Sequence, residues 1–203
     1  IRMTFFYAPS PTPRLETIYQ DETLWVINKP SGVLSVPGKA PDKQDSILSR
    51  IHWQFPKAEA VHRLDLVTSG LLIIALNKNI ERDLRRQFRE RLVDKTYLAR
   101  VWGRPKKPQG IINLPLICDW PRRPKQMVSF SRGKEAITYY ECLSKNQTST
   151  LIKLTPITGR SHQLRLHLFA LGHPILGDNL YGNFYTKRMA PRLLLHATSL
   201  SFI

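Results

Sequence analysis

Three short clusters hold side chains that can do chemistry in a rigid setting. His62-Arg63-Leu64-Asp65 joins a carboxylate to cations in a loop-like stretch continuing through Leu66-Val67-Thr68-Ser69-Gly70. Lys95-Thr96-Tyr97 opens a segment of strand character, and Thr158-Gly159-Arg160-Ser161-His162-Gln163-Leu164-Arg165 is a glycine turn running into a helix. A carboxylate such as Asp65 serves as a nucleophile or as a base. An arginine such as Arg160 can pair with it and keep it ionised in a desolvated site. A ring such as Tyr97 offers a flat face to an extruded base.

Each residue taken alone has a plainer reading. A single Asp beside an Arg is most often a turn former or a surface ion pair. Tyr97 alone reads as core. His162 and His167 are five apart, a poor spacing for one helical face, so no metal site is expected there. His162 reads as orienting a neighbour by hydrogen bonding, and Arg165 as a phosphate or surface contact rather than a catalytic group.

The whole-chain charge tips the balance. Thirty-one Lys and Arg face fifteen Asp and Glu, a formal net charge of +16 in 203 residues. A surface this basic suits a polyanion, where each phosphate contact releases counterions. The cations are scattered over many segments rather than gathered on one long amphipathic helix, which favours nucleic acid over a membrane. A carboxylate set in such a surface then calls for a chemical role.

Composition excludes other classes. A hydrophobic content of 42% supports a real core. No apolar run approaches the ~20 residues that span a bilayer. Cys118 and Cys142 lack the spacing of a zinc site or a disulfide framework, which points to reduced thiols in the cytoplasm. There is no P-loop, dinucleotide-binding glycine pattern or serine elbow, so neither a cofactor nor a metal is expected.

The elements that must position these clusters are readable from pattern. Glu16–Tyr19 and Thr23–Asn28 have strand character across a polar turn. Asn28-Lys29-Pro30-Ser31-Gly32 and Val36-Pro37-Gly38 break regular structure. Asp45-Ser46 can cap a short helix with Ile47, Ile51 and Phe55 on one face. Leu71–Leu76 reads as a strand buried on both faces. Ile80, Leu84 and Phe88 recur along a helix that also carries Arg82, Arg85, Arg86 and Arg89, either a solvated face or an RNA-contacting one. Lys95–Trp102, Ala136–Leu143, Thr148–Leu154 and Leu193–Ile203 read as strands. Pro105–Gly110 and Asp119–Lys125 read as basic, Pro-broken connections. A helix is expected from Ser161 to Leu171, ended by Gly172. Many strands and few helices without alternation predict an α+β fold with a mixed, largely antiparallel sheet.

With these pieces in order, the chain resembles the RluA-type pseudouridine synthases. The matching motifs are Asn28-Lys29-Pro30-Ser31-Gly32, His62-Arg63-Leu64-Asp65 with Thr68-Ser69-Gly70, Lys95-Thr96-Tyr97 and Gly159-Arg160-Ser161-His162-Gln163-Leu164-Arg165. Gly172-His173-Pro174-Ile175-Leu176-Gly177-Asp178 and Leu194-Leu195-His196-Ala197 complete a set spanning nearly the whole sequence. Pro115–Pro121 and Arg123–Gln126 are similar to a small dual-specificity member acting on both 23S ribosomal RNA and tRNA.

The resemblance implies a pseudouridine synthase domain with a central cleft and isomerisation of uridine within RNA stem-loops. It implies that Asp65 is the catalytic aspartate, that Tyr97 packs on the target uracil, and that Arg160 forms an ion pair with Asp65. Arg63 is implied to enter the RNA where the flipped nucleotide was. His62, Lys95, His162, Gln163 and Arg165 complete the expected RNA contacts. Relatives often carry an N-terminal S4 domain, for which there is no room before Glu16, and continue to a further short strand beyond residue 203. The expectation is a single catalytic domain over residues 1–203, monomeric, with 23S ribosomal RNA and tRNA stem-loops as partners. The residues leave two other classes open, a non-catalytic RNA-binding module and a glycosidase-like hydrolase. The second ordinarily needs a paired acid and base.

Overall fold

The computed structural model describes residues 7–12 and 14–203. They fall into two compact units, the described residues up to Leu92 with 202–203, and residues 93–201.

The first unit is built on an antiparallel sheet. Strands β1 (Thr17–Gln20) and β2 (Leu24–Lys29) form a hairpin. Its turn is fixed by Asp21, whose Oδ1 accepts from the N–H groups of Thr23 and Leu24 at 2.7 and 2.9 Å. The two-residue strand β3 (Glu59–Ala60) and β2 both pair antiparallel with β4 (Ser69–Ala75). Near-continuous burial of β4 matches its unbroken apolar sequence.

Helix α1 (Ile47–His52) starts at a reciprocal cap between Ser46 and Ser49. It lays Ile47 and Ile51 into a core with Trp25, Ile27, Val33, Leu72 and Ile74. Helix α2 (Lys78–Arg89) is capped by Asn77 and buries Leu84. Its arginines are largely occupied by acids. Arg85 faces Glu81 and Glu59 at 3.2 and 3.7 Å, and Arg86 faces Asp83 and Glu90 at 2.8 and 2.9 Å. That pattern is a salt-bridge-laced surface helix, and it makes α2 a poorer phosphate grip than its arginine content suggests.

The second unit carries an antiparallel sheet in the order β11 (Leu195–Ser201), β5 (Asp94–Trp102), β10 (Ser149–Pro156), β9 (Ile137–Lys145), β6 (Gln109–Asn113). A separate two-stranded ribbon pairs β7 (Leu116–Cys118) with β8 (Gln126–Val128). Helix α3 (Gln163–Ala170) packs on the sheet through Thr138 of β9. Gly172, at φ 89°, ends it with the N–H of His173 on the Leu168 carbonyl and its own N–H on that of Phe169. Helix α4 (Phe184–Arg188) is short and capped by Asn183. The α+β, largely antiparallel expectation is met. Among the described residues, no helix is long and apolar enough to cross a membrane.

Candidate active site

Asp65 lies in the first unit, in the loop between β3 and β4, where its carbonyl accepts from the Thr68 N–H at 3.1 Å. Its side chain is half-buried beside an exposed Arg63. What fixes this loop is a second one, the turn after β2, which grips it residue by residue. The Ser35 hydroxyl donates to the Leu64 carbonyl at 2.9 Å and accepts from the Leu64 N–H at 3.1 Å. The Gly32 N–H donates to the Leu66 carbonyl at 2.8 Å. The Ser31 hydroxyl donates to the Val67 carbonyl at 2.7 Å. Gly32 sits at φ 88°, a conformation only glycine adopts without strain.

Lys29 is the centre of that grip. It is fully buried, and its Nζ donates to the carbonyls of Pro30, Val33 and Leu66 at 3.0, 2.7 and 3.1 Å. Those three acceptors use every donor of an ammonium group. Burial pushes Lys29 down to about 7, against the pull of the Asp65 negative charge. Lys29 therefore both ties the loop down and places its amine within electrostatic reach of Asp65. Sequence reasoning noted the Asn28–Gly32 motif but gave this lysine no role, because a Lys in a Pro-Gly turn reads as a solvated one.

His62 anchors the other end of the loop. Its Nε2 accepts from the Ile73 N–H at 3.0 Å, and its ring stacks on Phe88 at 4.8 Å between centroids. Those contacts fix the loop to β4 and α2, with the His62 side chain half-buried.

In the second unit, Tyr97 is a half-buried residue of strand β5, between β11 and β10 and opposite Leu154 and Ala197. Lys95 lies two residues earlier on the same strand, and its Nζ would be 3.8 Å from a Cβ placed on Gly159. The amine and the turn that presents Arg160 are thus neighbours. Arg160 is exposed, with its Nε donating to the Glu135 carbonyl at 2.9 Å.

The turn that presents Arg160 is held by Gln163. Its Oε1 accepts from the Thr158 hydroxyl at 2.8 Å and the Arg160 N–H at 3.0 Å. Its Nε2 donates to the Ile137 carbonyl and the Thr158-facing strand's Thr138 hydroxyl, both at 3.0 Å. All four bonding positions of the amide are filled inside the protein, and the side chain is buried. The expected RNA contact at Gln163 is corrected accordingly.

The same correction applies to Arg165. It is 2% exposed, and its Nε and Nη2 form a two-pronged pair with the Asp178 carboxylate at 2.8 and 2.7 Å. Burial would raise the Asp178 carboxyl, but the Arg165 guanidinium and the N–H groups of Leu180 and Tyr181 outweigh it and hold it below its usual range. An arginine enclosed in this way has no surface to offer a phosphate. The clue in the sequence was Asp178, a lone acid in a motif rich in glycine and apolar residues.

His162 adopts a left-handed conformation at the start of α3, φ 54° and ψ 19°, and its Nδ1 lies 2.8 Å from the Tyr181 hydroxyl. It orients a neighbour, as its sequence position suggested. The Tyr181 hydroxyl also accepts from the Gln126 N–H at 2.8 Å, tying β8 to the Arg160 turn. His167 is fully buried with both ring nitrogens occupied. Its Nε2 faces the Leu114 carbonyl, which only accepts, so that nitrogen carries the proton and Nδ1 accepts from Thr138. Burial pushes it below the ordinary histidine value, so it is neutral and structural.

The first unit thus holds the Asp65 carboxylate on a clamped loop, and the second unit holds an exposed Arg160 on a fixed turn and Tyr97 half-buried on β5. The chain belongs to the RNA pseudouridylate synthase family, whose model matches residues 23–170. It is an isomerase of uridine in RNA.

Among its relatives, the dual-specificity RNA pseudouridine synthase RluA of Yersinia pestis is 57% identical, over 90% of this chain and 89% of the relative. The protein of the same name from Escherichia coli K12 is 54% identical, over 96% of this chain and 90% of the relative. The structure of human RNA Pseudouridylate Synthase Domain Containing 1 matches with a TM-score of 0.79 at 31% identity, covering 95% of this chain and 80% of that one.

Proposed function

We propose that the chain isomerises specific uridines to pseudouridine in stem-loops of both 23S ribosomal RNA and tRNA, with Asp65 as the essential carboxylate. The N1–C1′ bond of the uridine breaks, the freed uracil turns in place, and C5 bonds to C1′. The proton leaving C5 is balanced by one gained at N1, so no redox partner or energy source enters. Arg160 is the guanidinium that pairs with Asp65, Tyr97 holds the face of the uracil, and Arg63 fills the space the flipped nucleotide leaves. Lys95 is a further RNA contact beside the Arg160 turn. The enzyme works in the cytoplasm as a monomer whose catalytic domain meets the RNA directly.

The observation that carries this reading is the grip of residues 29–35 on residues 64–67. A binding module gains nothing from a carboxylate held rigidly among phosphate-seeking cations, whereas catalysis requires a fixed reacting group. The dual-specificity name borne by relatives above 50% identity supports two RNA classes. The resemblance of the motifs supports the residue roles.

The test is total RNA from a strain lacking the protein, incubated with wild-type or Asp65→Asn enzyme and then mapped for pseudouridine. Wild-type protein is expected to modify both RNA classes. Removing an acid–base group costs ~10²–10⁴ in rate and removing a nucleophile costs more, so the Asn variant should be silent while binding RNA normally. Turnover by that variant would remove Asp65 from the chemistry.

A further inference from the structure

We propose that α4 is a second RNA-contacting element, which stacks an unpaired base on Tyr185, braced edge to face by Phe184, and meets the adjoining phosphates with Lys187 and Arg188. The proposal rests on the reading of the chain as an enzyme acting on structured RNA, and it adds a binding surface outside the proposed reaction site.

The helix displays what a soluble protein ordinarily hides. Phe184 is 61% exposed and Tyr185 75% exposed, with Met189 exposed beside them. Single exposed apolar residues are commonplace, but two adjacent aromatic rings form a patch. The rings meet edge to face at 5.7 Å and 90°. The guanidinium of Arg188 lies 4.1 Å over the Phe184 ring. From Asn179 to Arg192 the sequence carries Lys187, Arg188 and Arg192 and no acidic residue. Rings interleaved with cations are the recognition chemistry of a single-stranded polyanion, since every base has a π-face and every nucleotide a phosphate.

The patch is rigidly mounted. The Asn183 side chain accepts from the N–H groups of Tyr185 and Thr186 at 3.0 and 2.9 Å. Thr186 is fully buried, and its carbonyl accepts from the Gly177 N–H at 2.9 Å. At Gly182 a Cβ would come within 2.6 Å of the Asp178 carbonyl and 2.8 Å of the Thr186 hydroxyl, so the chain entering α4 is packed without slack. Asp178 is in turn locked to Arg165, and Tyr181 to His162 two residues past Arg160. The rings are therefore preorganised relative to the Arg160 turn, and holding a ring in place before binding spares its ordering cost.

The experiment uses full-length protein and an RNA stem-loop with unpaired flanking nucleotides. Loss of one stacked base costs ~1–3 kcal/mol, so Tyr185→Ala should weaken RNA binding by about 5- to 150-fold, with the loss falling on KM rather than kcat. Tyr185→Trp should restore affinity, and its indole fluorescence should be quenched when the RNA is added. Lys187→Ala with Arg188→Ala should flatten the salt dependence by roughly 0.7 in log–log slope per lost phosphate contact.

Wild-type affinity in a folded Tyr185→Ala variant, or an indole signal indifferent to RNA, overturns the proposal. So does a change in self-association on Tyr185→Ala with RNA affinity intact, which would assign the patch to a second copy. These outcomes are separable from the catalytic reading, because active wild-type enzyme with indifferent α4 variants counts against the platform alone.

Discussion

The buried ammonium of Lys29 donates to the carbonyl of Leu66 at 3.1 Å, one residue beyond Asp65. The same amine holds Pro30 and Val33 of its own turn, so one side chain pins two loops together. Replacing it by Met leaves three carbonyls short of a donor. The expected cost is roughly 2–5 kcal/mol of stability, and kcat should fall with it because Asp65 loses its mount. Equilibrium unfolding with urea and single-turnover kinetics measure both. A Lys29→Met protein as stable and active as wild type would show that the loop is held by the serines alone.

The sign of the pH dependence at Lys29 follows from its burial. Its value of about 7 lies below the ordinary 10.5. Between those two values the unfolded chain holds a proton that the folded one releases, so this group makes stability rise with pH across that window. Below it, both states are protonated and the contribution is flat. Urea unfolding of wild type and Lys29→Met at several pH values isolates the effect, with the gap between the two widening in favour of wild type above neutrality. A gap that stays constant would mean that the three carbonyls hold the ammonium charged well into alkaline conditions.

Two arginines of one motif should fail in different ways. Arg165→Met strands the buried carboxylate of Asp178, at a cost of ~3–5 kcal/mol in stability. Arg160 is exposed, so Arg160→Met should unfold near the wild-type temperature while losing activity. Pairing Arg165→Met with Asp178→Leu should recover part of the lost stability, since an apolar pair leaves no stranded charge. Thermal unfolding read beside activity separates the two arginines. A strong loss of stability in Arg160→Met would reassign that residue to the fold.

These cases mark where the sequence is legible. The strands around β4 and β5 stood out because apolar runs and alternation report burial directly. The Ser46 cap and the Gly172 stop followed from local chemistry, and Asp65 stood out as an acid in a basic chain. Lys29, Gln163 and Arg165 did not stand out, because each is a polar residue buried by partners far away in sequence. Lys29 meets Leu66, Gln163 meets Thr138, and Arg165 meets Asp178. On α2, periodicity points to Ile80, Leu84 and Phe88, yet Glu81 and Gln87 are buried alongside Leu84 while Ile80 and Phe88 are only half-buried. Glu81 is enclosed by Lys78 and Arg85, and Gln87 bonds both the N–H and the carbonyl of Ile203. The short strands β6 to β8 and helix α4 have too few residues for a period to show.

Tyr97 offers a test of the proposed base contact. It sits half-buried on β5, and a ring there is worth ~1–3 kcal/mol per stacked base. Tyr97→Phe should keep most of that, while Tyr97→Ala should lose it, seen as a loss of turnover larger than the loss of RNA affinity. An Ala variant with normal turnover would leave Tyr97 as a packing residue between Leu154 and Ala197.

Substrate choice is the sharpest test of how a strongly basic chain becomes specific. Phosphate contacts give affinity without choosing one uridine among thousands. The choice must come from nucleotides that are cheap to unstack, which are found in small loops rather than in paired stems. Isolated hairpins from the tRNA anticodon arm and from a 23S ribosomal RNA loop are therefore expected to be substrates. A fully paired duplex of the same sequence should be a poor one, because opening it costs pairing and stacking energy that the protein must supply. Binding of both hairpins should weaken steeply with salt, as counterion release demands. The measurement is initial rate at equal concentrations of hairpin, duplex and intact ribosomal subunit across a salt series. Modification of the assembled subunit alone would show that recognition reaches beyond the local loop.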